Sequence, residues 1–287
     1  MDIRQDFSSR YNPTTLVFLL LMSAAFTYSA KADLPFCSDV FTNAVQTHGQ
    51  KGNFIKFGFD ARLSNPSDVQ LHIPTVEYNP WSGRKSCGAV HCLAGGDPVP
   101  KLWIEDFRNT NSTVRYLVAP KSTLYLENTD IGEIDIREYA TAEFSSSQNF
   151  FVIDRLFIGH KGTLRLREGS YWVRNLRMEV ESRIEVIGSG QVNLFVQNSL
   201  DIPFKALINT NTKDPSRLTI YDESSSHFHV GSTTYAFIVT ENEFILSHGA
   251  KIYGGLVGQY IYLESASEVI YDPEGAQAIS ILRLCRN

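Results

Sequence analysis

The sequence predicts an all-β chain: a right-handed parallel β-helix, or solenoid, with a disulfide-tied N-terminal cap. Apolar residues recur at alternate positions, which places them on one face of an extended strand. The alternation breaks at corners rich in glycine, serine, asparagine or proline, residues that tolerate or pre-set unusual backbone angles. The whole phrase then returns at a spacing of about 16 to 28 residues, the range in which each unit buries its apolar face only against its neighbours.

Taken in order, residues 1–32 read as an export signal. Arg4 and Arg10 supply the positive start, Leu16 to Ala30 is apolar or small throughout, and Ala30-Lys31-Ala32 offers a small-x-small cleavage site. The mature chain would begin near Asp33. The apolar run is short for a bilayer span, and no later stretch could cross a membrane once the signal is removed. An exported protein, periplasmic, outer-surface or secreted, follows.

Residues 33–112 form the expected cap. Asn53 to Leu63 alternates as a strand, but Asn65-Pro66, Asn79-Pro80, Ser82-Gly83, Gly95-Gly96 and Pro98 to Pro100 then punctuate the chain heavily. A solenoid needs such a cover, because its end coil otherwise presents unpaired backbone. The four cysteines, Cys37, Cys87, Cys92 and Cys285, are an even number in an exported chain and imply disulfides. Cys87 and Cys92 can close a small loop, and Cys37 with Cys285 would clamp the ends of the mature chain. A metal site on Cys87, His91 and Cys92 is the competing arrangement, lacking a fourth ligand.

Residues 113–287 form the expected β-helix domain. Val114, Tyr116 and Val118, Leu124 and Leu126, then Ile131, Ile134 and Ile136 mark its first coils. The phrases that follow are Leu156, Ile158, Leu164, Leu166; Leu176, Met178, Val180, Ile184, Val186; Leu200, Ile202, Leu207; Phe244, Leu246, Ile252; and Ile261, Leu263, Val269, Tyr271. Gly159 to Gly162, Glu181-Ser182, Pro203-Phe204, Ser247 to Gly249 and Glu264 to Ala266 are the corners. No stretch holds the 3.6-residue period of a long helix.

With 287 residues, 43% hydrophobic and 20% charged, the composition is that of an ordinary globular chain. The net charge of -5 argues against nucleic acid, whose binders carry a basic surplus or stripe. No cofactor is expected, since phosphate loops, dinucleotide fingerprints, Gly-x-Ser-x-Gly elbows and His-Glu-x-x-His are all missing from the sequence.

Catalysis on a β-helix would need converging carboxylates. Asp130, Glu133 and Asp135, Asp222 and Glu223, and Glu241 and Glu243 are the candidate groups, although outward charges are also what a solvated face carries. His227 and His229 share a strand face, the geometry of two metal ligands, with no third apparent. His160 and His248 fall in corners of different coils. Exposed aromatics can stack on sugar rings, and Trp172, Tyr171, Tyr260 and Tyr262 lead the candidates, ahead of Tyr78, Trp81, Trp103 and Tyr253. Stacking coil upon coil is the alternative use for them.

Phe36-Cys37-Ser38-Asp39, Asn53 to Phe59, the paired-cysteine loop, Gly169 to Trp172, Gly188 to Val192 and Ile252 to Val257 together resemble the N-terminal region of the MshQ family. That family belongs to the mannose-sensitive haemagglutinin (MSHA) type IV pilus system of marine Gram-negative bacteria, and its members continue into a large further part. The resemblance implies a non-catalytic envelope or surface protein with a structural, assembly or adhesion role linked to such a pilus. Pilus-assembly or cell-surface proteins are then the implied partners. A carbohydrate-active β-helix enzyme, or a lectin-like module that binds glycans, is the other reading.

Overall fold

Once in each turn the chain passes through a residue with positive φ, and these residues stack into a column. Lys121, Tyr139, Lys161, Glu181, Lys205, Gly231, Gly249 and Ala266 hold φ between 54° and 69°, and Asp60 joins them at 55°. From Lys121 to Ala266 each of these N–H groups donates to a carbonyl of the next coil: Tyr139 to His160 at 3.1 Å, Lys161 to Val180 at 3.3 Å, Glu181 to Phe204 at 3.1 Å, Lys205 to Val230 at 3.1 Å. The left-handed bend turns the strand through a tight corner, and the inter-coil bond satisfies the amide that the turn would otherwise strand. The corners expected at Gly159 to Gly162, Glu181-Ser182, Ser247 to Gly249 and Glu264 to Ala266 all lie on this column.

In the computed structural model, residues 40–49, 52–80, 86–95, 99, 107–145, 148, 150–198 and 200–279 are described. They form a parallel β-solenoid of about nine turns. Three walls enclose the core. The first carries Val192–Val196, Leu218–Asp222, the second half of Thr233–Thr240 and the second half of Lys251–Gly258. The second carries Leu200–Ile202, Ser226–Phe228, Glu243–Leu246 and Tyr260–Leu263. The third carries Arg183–Val186, Leu207–Ile208 and Glu268–Tyr271, with the first halves of the two long strands between the last two. In the earlier coils the long strands Asp130–Ile136, Phe150–Ile158 and Gly169–Met178 run through the first two walls without a break.

Period-two alternation places the core as expected. Ile136, Ile158 and Met178 occupy one register column, and all are buried. Inside, Phe144, Phe151 and Tyr171 stack, with Phe151 and Tyr171 centroids 4.6 Å apart and nearly parallel. Two expected core residues move outward. Val180 is a half-exposed corner residue in the same column as Phe204 and Val230. Leu207 is in register with Arg183 and Thr233, an outward position, and the buried residue is Ile208.

The N-terminal region caps the solenoid, but at the end opposite to the one its sequence position suggests. Val45–Thr47 pairs with Leu256 to Gly258, Phe54–Phe57 with Tyr260–Leu263, and Arg62–Ser64 with Glu268 to Ile270. The cap thus adds rungs to the last coil, continuing all three walls. A further layer of Thr75–Tyr78 and the pair Gln70–His72 with Leu93–Gly95 lies above it, stapled by the Cys87–Cys92 disulfide. Cysteines so bonded offer no thiolate, which removes the metal arrangement with His91. Among the described residues, Arg115–Val118 and Thr123–Leu126 are the strands at the far end, each paired on one side.

Val99 and residues 107–110 lie along the outside of the first wall. Val99 bridges His48 at the capped end; further on, the Arg108 guanidinium lies 4.6 Å from the Trp172 ring, Arg174 donates to Asn109, and Thr110 bonds Asp130 near the first coils. Val99, Phe107 and Arg108 lie against an outward ladder in register, Val152, Trp172, Phe195, Tyr221, Val239 and Val257. Trp172 and Phe195 stack at 4.7 Å, Phe195 and Tyr221 at 4.6 Å. Phe107, Val99, Phe41 and Ile279 close over it, so the wall is apolar on both faces.

Among the described residues no helix is long and apolar enough to cross a membrane. The signal segment 1–32, Cys37, Cys285, Trp81 and Trp103 lie outside the described residues.

Candidate binding face

The outer surface of the second wall gathers residues from coils far apart in sequence. Because strands there are parallel and in register, each outward side chain has a neighbour above and below at strand spacing. One column runs Asp201, His227, Ile245, Tyr262, Lys56, Glu77. The column beside it runs Glu243, Tyr260, Phe54, Thr75.

Phe54 joins the two tyrosines, with its centroid 5.5 Å from Tyr260 and 5.3 Å from Tyr262, the latter edge-on. Tyr260 is 39% exposed and Tyr262 partly so. Beside them lies an open cleft of roughly 230 Å³, lined by Lys56, Asn79, Glu243, Ile245, Tyr262 and Glu264 among others. Burial, joined by the charges of Glu243 and Glu77, pushes the Tyr262 phenol up, so it stays a neutral donor at ordinary pH. An aromatic platform edged by carboxylates and an amide is the chemistry that holds a sugar ring, apolar face down and hydroxyls to the rim.

The other two leading aromatics are withdrawn from such a role. Tyr171 is fully buried and donates its hydroxyl to the Arg167 carbonyl at 2.9 Å. Trp172 points outward as alternation requires, but it is 3% exposed beneath Arg108. Tyr253 stacks on Tyr235 at 4.2 Å on the third wall, and Tyr78 stacks on Phe57 while donating to the Cys92 carbonyl. Coil-on-coil stacking is the use to which these four are put.

At the other edge of the face, three metal-ligating groups meet. His227 and His229 stack with ring centroids 3.9 Å apart, and His229 Nε2 lies 2.6 Å from Asp201 Oδ1. One ligand atom from each of Asp201, His227 and His229 lies within 4.8 Å of the others. Burial and the neighbouring His229 ring lower the His227 proton affinity, against the pull of Asp201, Glu264 and Glu243. Asp201 had no signal of its own in the sequence; only the register that puts it beside His227 reveals it.

Of the candidate acids, Glu133 and Asp135 line one open cleft of roughly 370 Å³ with Arg155, Asn175 and Arg177, and both are held in ion pairs. Glu133 lies between Arg115 at 3.5 Å and Arg155 at 3.2 Å, and Asp135 pairs with Arg137 at 2.7 Å. Asp222 is buried, its carboxyl pushed up by that burial, and it accepts from Ser226 Oγ at 2.6 Å and Ser224 N at 3.0 Å, bracing a turn. Glu243 belongs to the cleft. His160 and His248 occupy the same corner column, with Val180, Phe204 and Val230 between them.

Fold and face together define a parallel β-solenoid whose second wall presents an aromatic and polar surface to solvent. A family model described as a domain of unknown function, DUF7305, matches residues 173–277. That span holds the fully three-walled coils with Asp201, His227, His229, Glu243, Tyr260 and Tyr262. No curated protein and no solved structure matches the chain.

Proposed function

We propose that this chain is a non-catalytic, exported envelope or surface module, serving assembly or adhesion in an MSHA-type pilus system. The observation that carries the reading is the fate of the outward acids. Glu133, Asp135 and Asp154 are each held by arginines on the same or the next coil, which knits a surface together. A hydrolase or lyase groove needs its carboxylates aimed at a shared substrate atom. Partners of this reading are pilus-assembly or cell-surface proteins.

Glycan binding is the second reading, favoured by the Phe54, Tyr260 and Tyr262 platform beside its cleft. It fits an adhesive role without turnover.

The test is deletion of the gene in its host, scoring surface pili and attachment to a mannose-bearing surface, with complementation by the whole chain. Loss of either trait, restored on complementation, supports the proposal; normal piliation and attachment overturn it. Complementation with Tyr260→Ala/Tyr262→Ala then separates the readings, because restored pili without attachment assigns the aromatic face to glycan contact. Turnover of any member of a polysaccharide panel by purified protein would overturn the non-catalytic assignment.

A further inference from the structure

The register of the second wall brings Asp201 from one coil beside His227 of the next, and His229 follows His227 by two residues on the same side. We propose that Asp201, His227 and His229 form a surface site for a divalent transition-metal ion of the zinc class, held between two coils of the solenoid.

Two imidazoles and a carboxylate are a donor set that zinc and its first-row neighbours take, leaving one or more coordination positions open. Calcium and magnesium prefer all-oxygen sites and gain little from such a set. One ligand atom of each residue is already within 4.8 Å of the other two, so small side-chain rotations suffice to close on an ion. His229 Nε2 and Asp201 Oδ1, 2.6 Å apart, already meet in a hydrogen bond that an ion would replace.

His227 is held for the task. Its Nε2 lies 2.9 Å from Ser247 Oγ on the following coil, leaving Nδ1 as the nitrogen free to coordinate. A bond from the second ring nitrogen to a neighbouring coil is how ligating histidines are oriented. The rings stack at 3.9 Å, a separation at which two imidazolium charges would repel, whereas two neutral rings can share one ion. The charges of Glu243 and Glu264 act on the His227 ring and add negative potential to the site. Asp201 is exposed and both histidines are partly so, which gives an ion direct access from solvent.

A plain ion pair of Asp201 with His229, beside an independent His227–Ser247 bond, would give the same resting geometry. Titration decides between them. Whole, disulfide-intact protein stripped with chelator is titrated with zinc chloride, with calcium and magnesium chloride in parallel, and is loaded with Cu²⁺ for electron paramagnetic resonance. The expected result is one Zn²⁺ per chain, weakened about tenfold or more in each of Asp201→Asn, His227→Gln and His229→Gln. Cu²⁺ should show superhyperfine coupling to two imidazole nitrogens, falling to one in either histidine variant. Absence of zinc uptake, uptake unchanged in all three variants, or equal competition by calcium overturns the proposal. Should a variant fail to fold, the Cu²⁺ spectrum of the unaltered protein decides, and fewer than two coordinated nitrogens rules the site out.

Discussion

Tyr271 donates its hydroxyl proton to the carbonyl of Phe41 at 2.6 Å, a buried bond between residues 230 apart in sequence. It sits where the last coil meets the cap. Tyr271→Phe keeps the ring and leaves the Phe41 carbonyl without this donor, so we expect a loss of about 1–2 kcal/mol in urea unfolding. Hydrogen exchange should quicken at Val45–Thr47, on the rung beside it, more than at Phe150–Ile158. Equal quickening at both would show that the cap is not a separately weakened unit.

Acid should loosen the same junction. Burial pushes the Glu268 carboxyl up, but bonds from Ser64 and Lys251 and the charge of Arg62 outweigh it, and its pKa ends below the ordinary 4.5. A carboxylate depressed in the folded state stabilises the fold at neutral pH, and that contribution falls away as pH drops below about 4.5 and through the folded value. Glu268→Gln should therefore lower stability at pH 7 and flatten its decline in acid. A variant whose acid profile parallels the parent would remove Glu268 from this account.

The corner column invites a pair of opposite substitutions. Ala266 holds a φ of 56° with an exposed methyl, and Gly249 holds 65° one coil earlier. Left-handed backbone costs a residue with a β-carbon about 1 kcal/mol. Ala266→Gly should raise the melting temperature, and Gly249→Ala should lower it. Shifts of the same sign in both would refute the idea that backbone strain decides at these corners.

Structural and recognition aromatics should separate by their energetic cost. Removing the Trp172 ring empties the middle of a buried ladder, so Trp172→Ala should cost about 3–5 kcal/mol. Tyr260→Ala, at an exposed position, should cost less than about 1 kcal/mol and alter only what the second wall binds. Comparable losses would mean that Tyr260 is also part of the scaffold.

Alternation made the walls legible, since period two is local and survives in any register. Corners were readable from Gly159, Gly162, Ser182, Ser247 and Gly249, but the left-handed Lys121 and Tyr139 of the first coils carry no such mark. Leu207 looked like core because it is a large apolar residue just past the Pro203-Phe204 corner; its register beside Arg183 and Thr233 turns it outward, and its neighbours Ala206 and Ile208 are the buried residues. The single strand expected from Asn53 to Leu63 is two, Phe54–Phe57 and Arg62–Ser64, because Asp60 turns a left-handed corner between them; the partner of the first, Tyr260–Leu263, was not visible, because parallel pairing leaves no trace in either segment alone. The same blindness hid Asp201 from His227. Tyr171 and Trp172 were both read as exposed aromatics, and what the sequence did not disclose was that Tyr171 faces the core and that Arg108 covers Trp172.

The seating of Val45–Thr47, Phe54–Phe57 and Arg62–Ser64 on the final coil bears on the order in which the molecule can be completed. During synthesis these strands are among the first of the described residues to be made, yet their pairing surface does not exist until Tyr271 has been added. Coils from Arg115 onward can wind upon one another as they emerge, while the earlier strands wait with open edges. Closure thus works as a completeness check: only a chain carried through to its last coil can seal its own beginning.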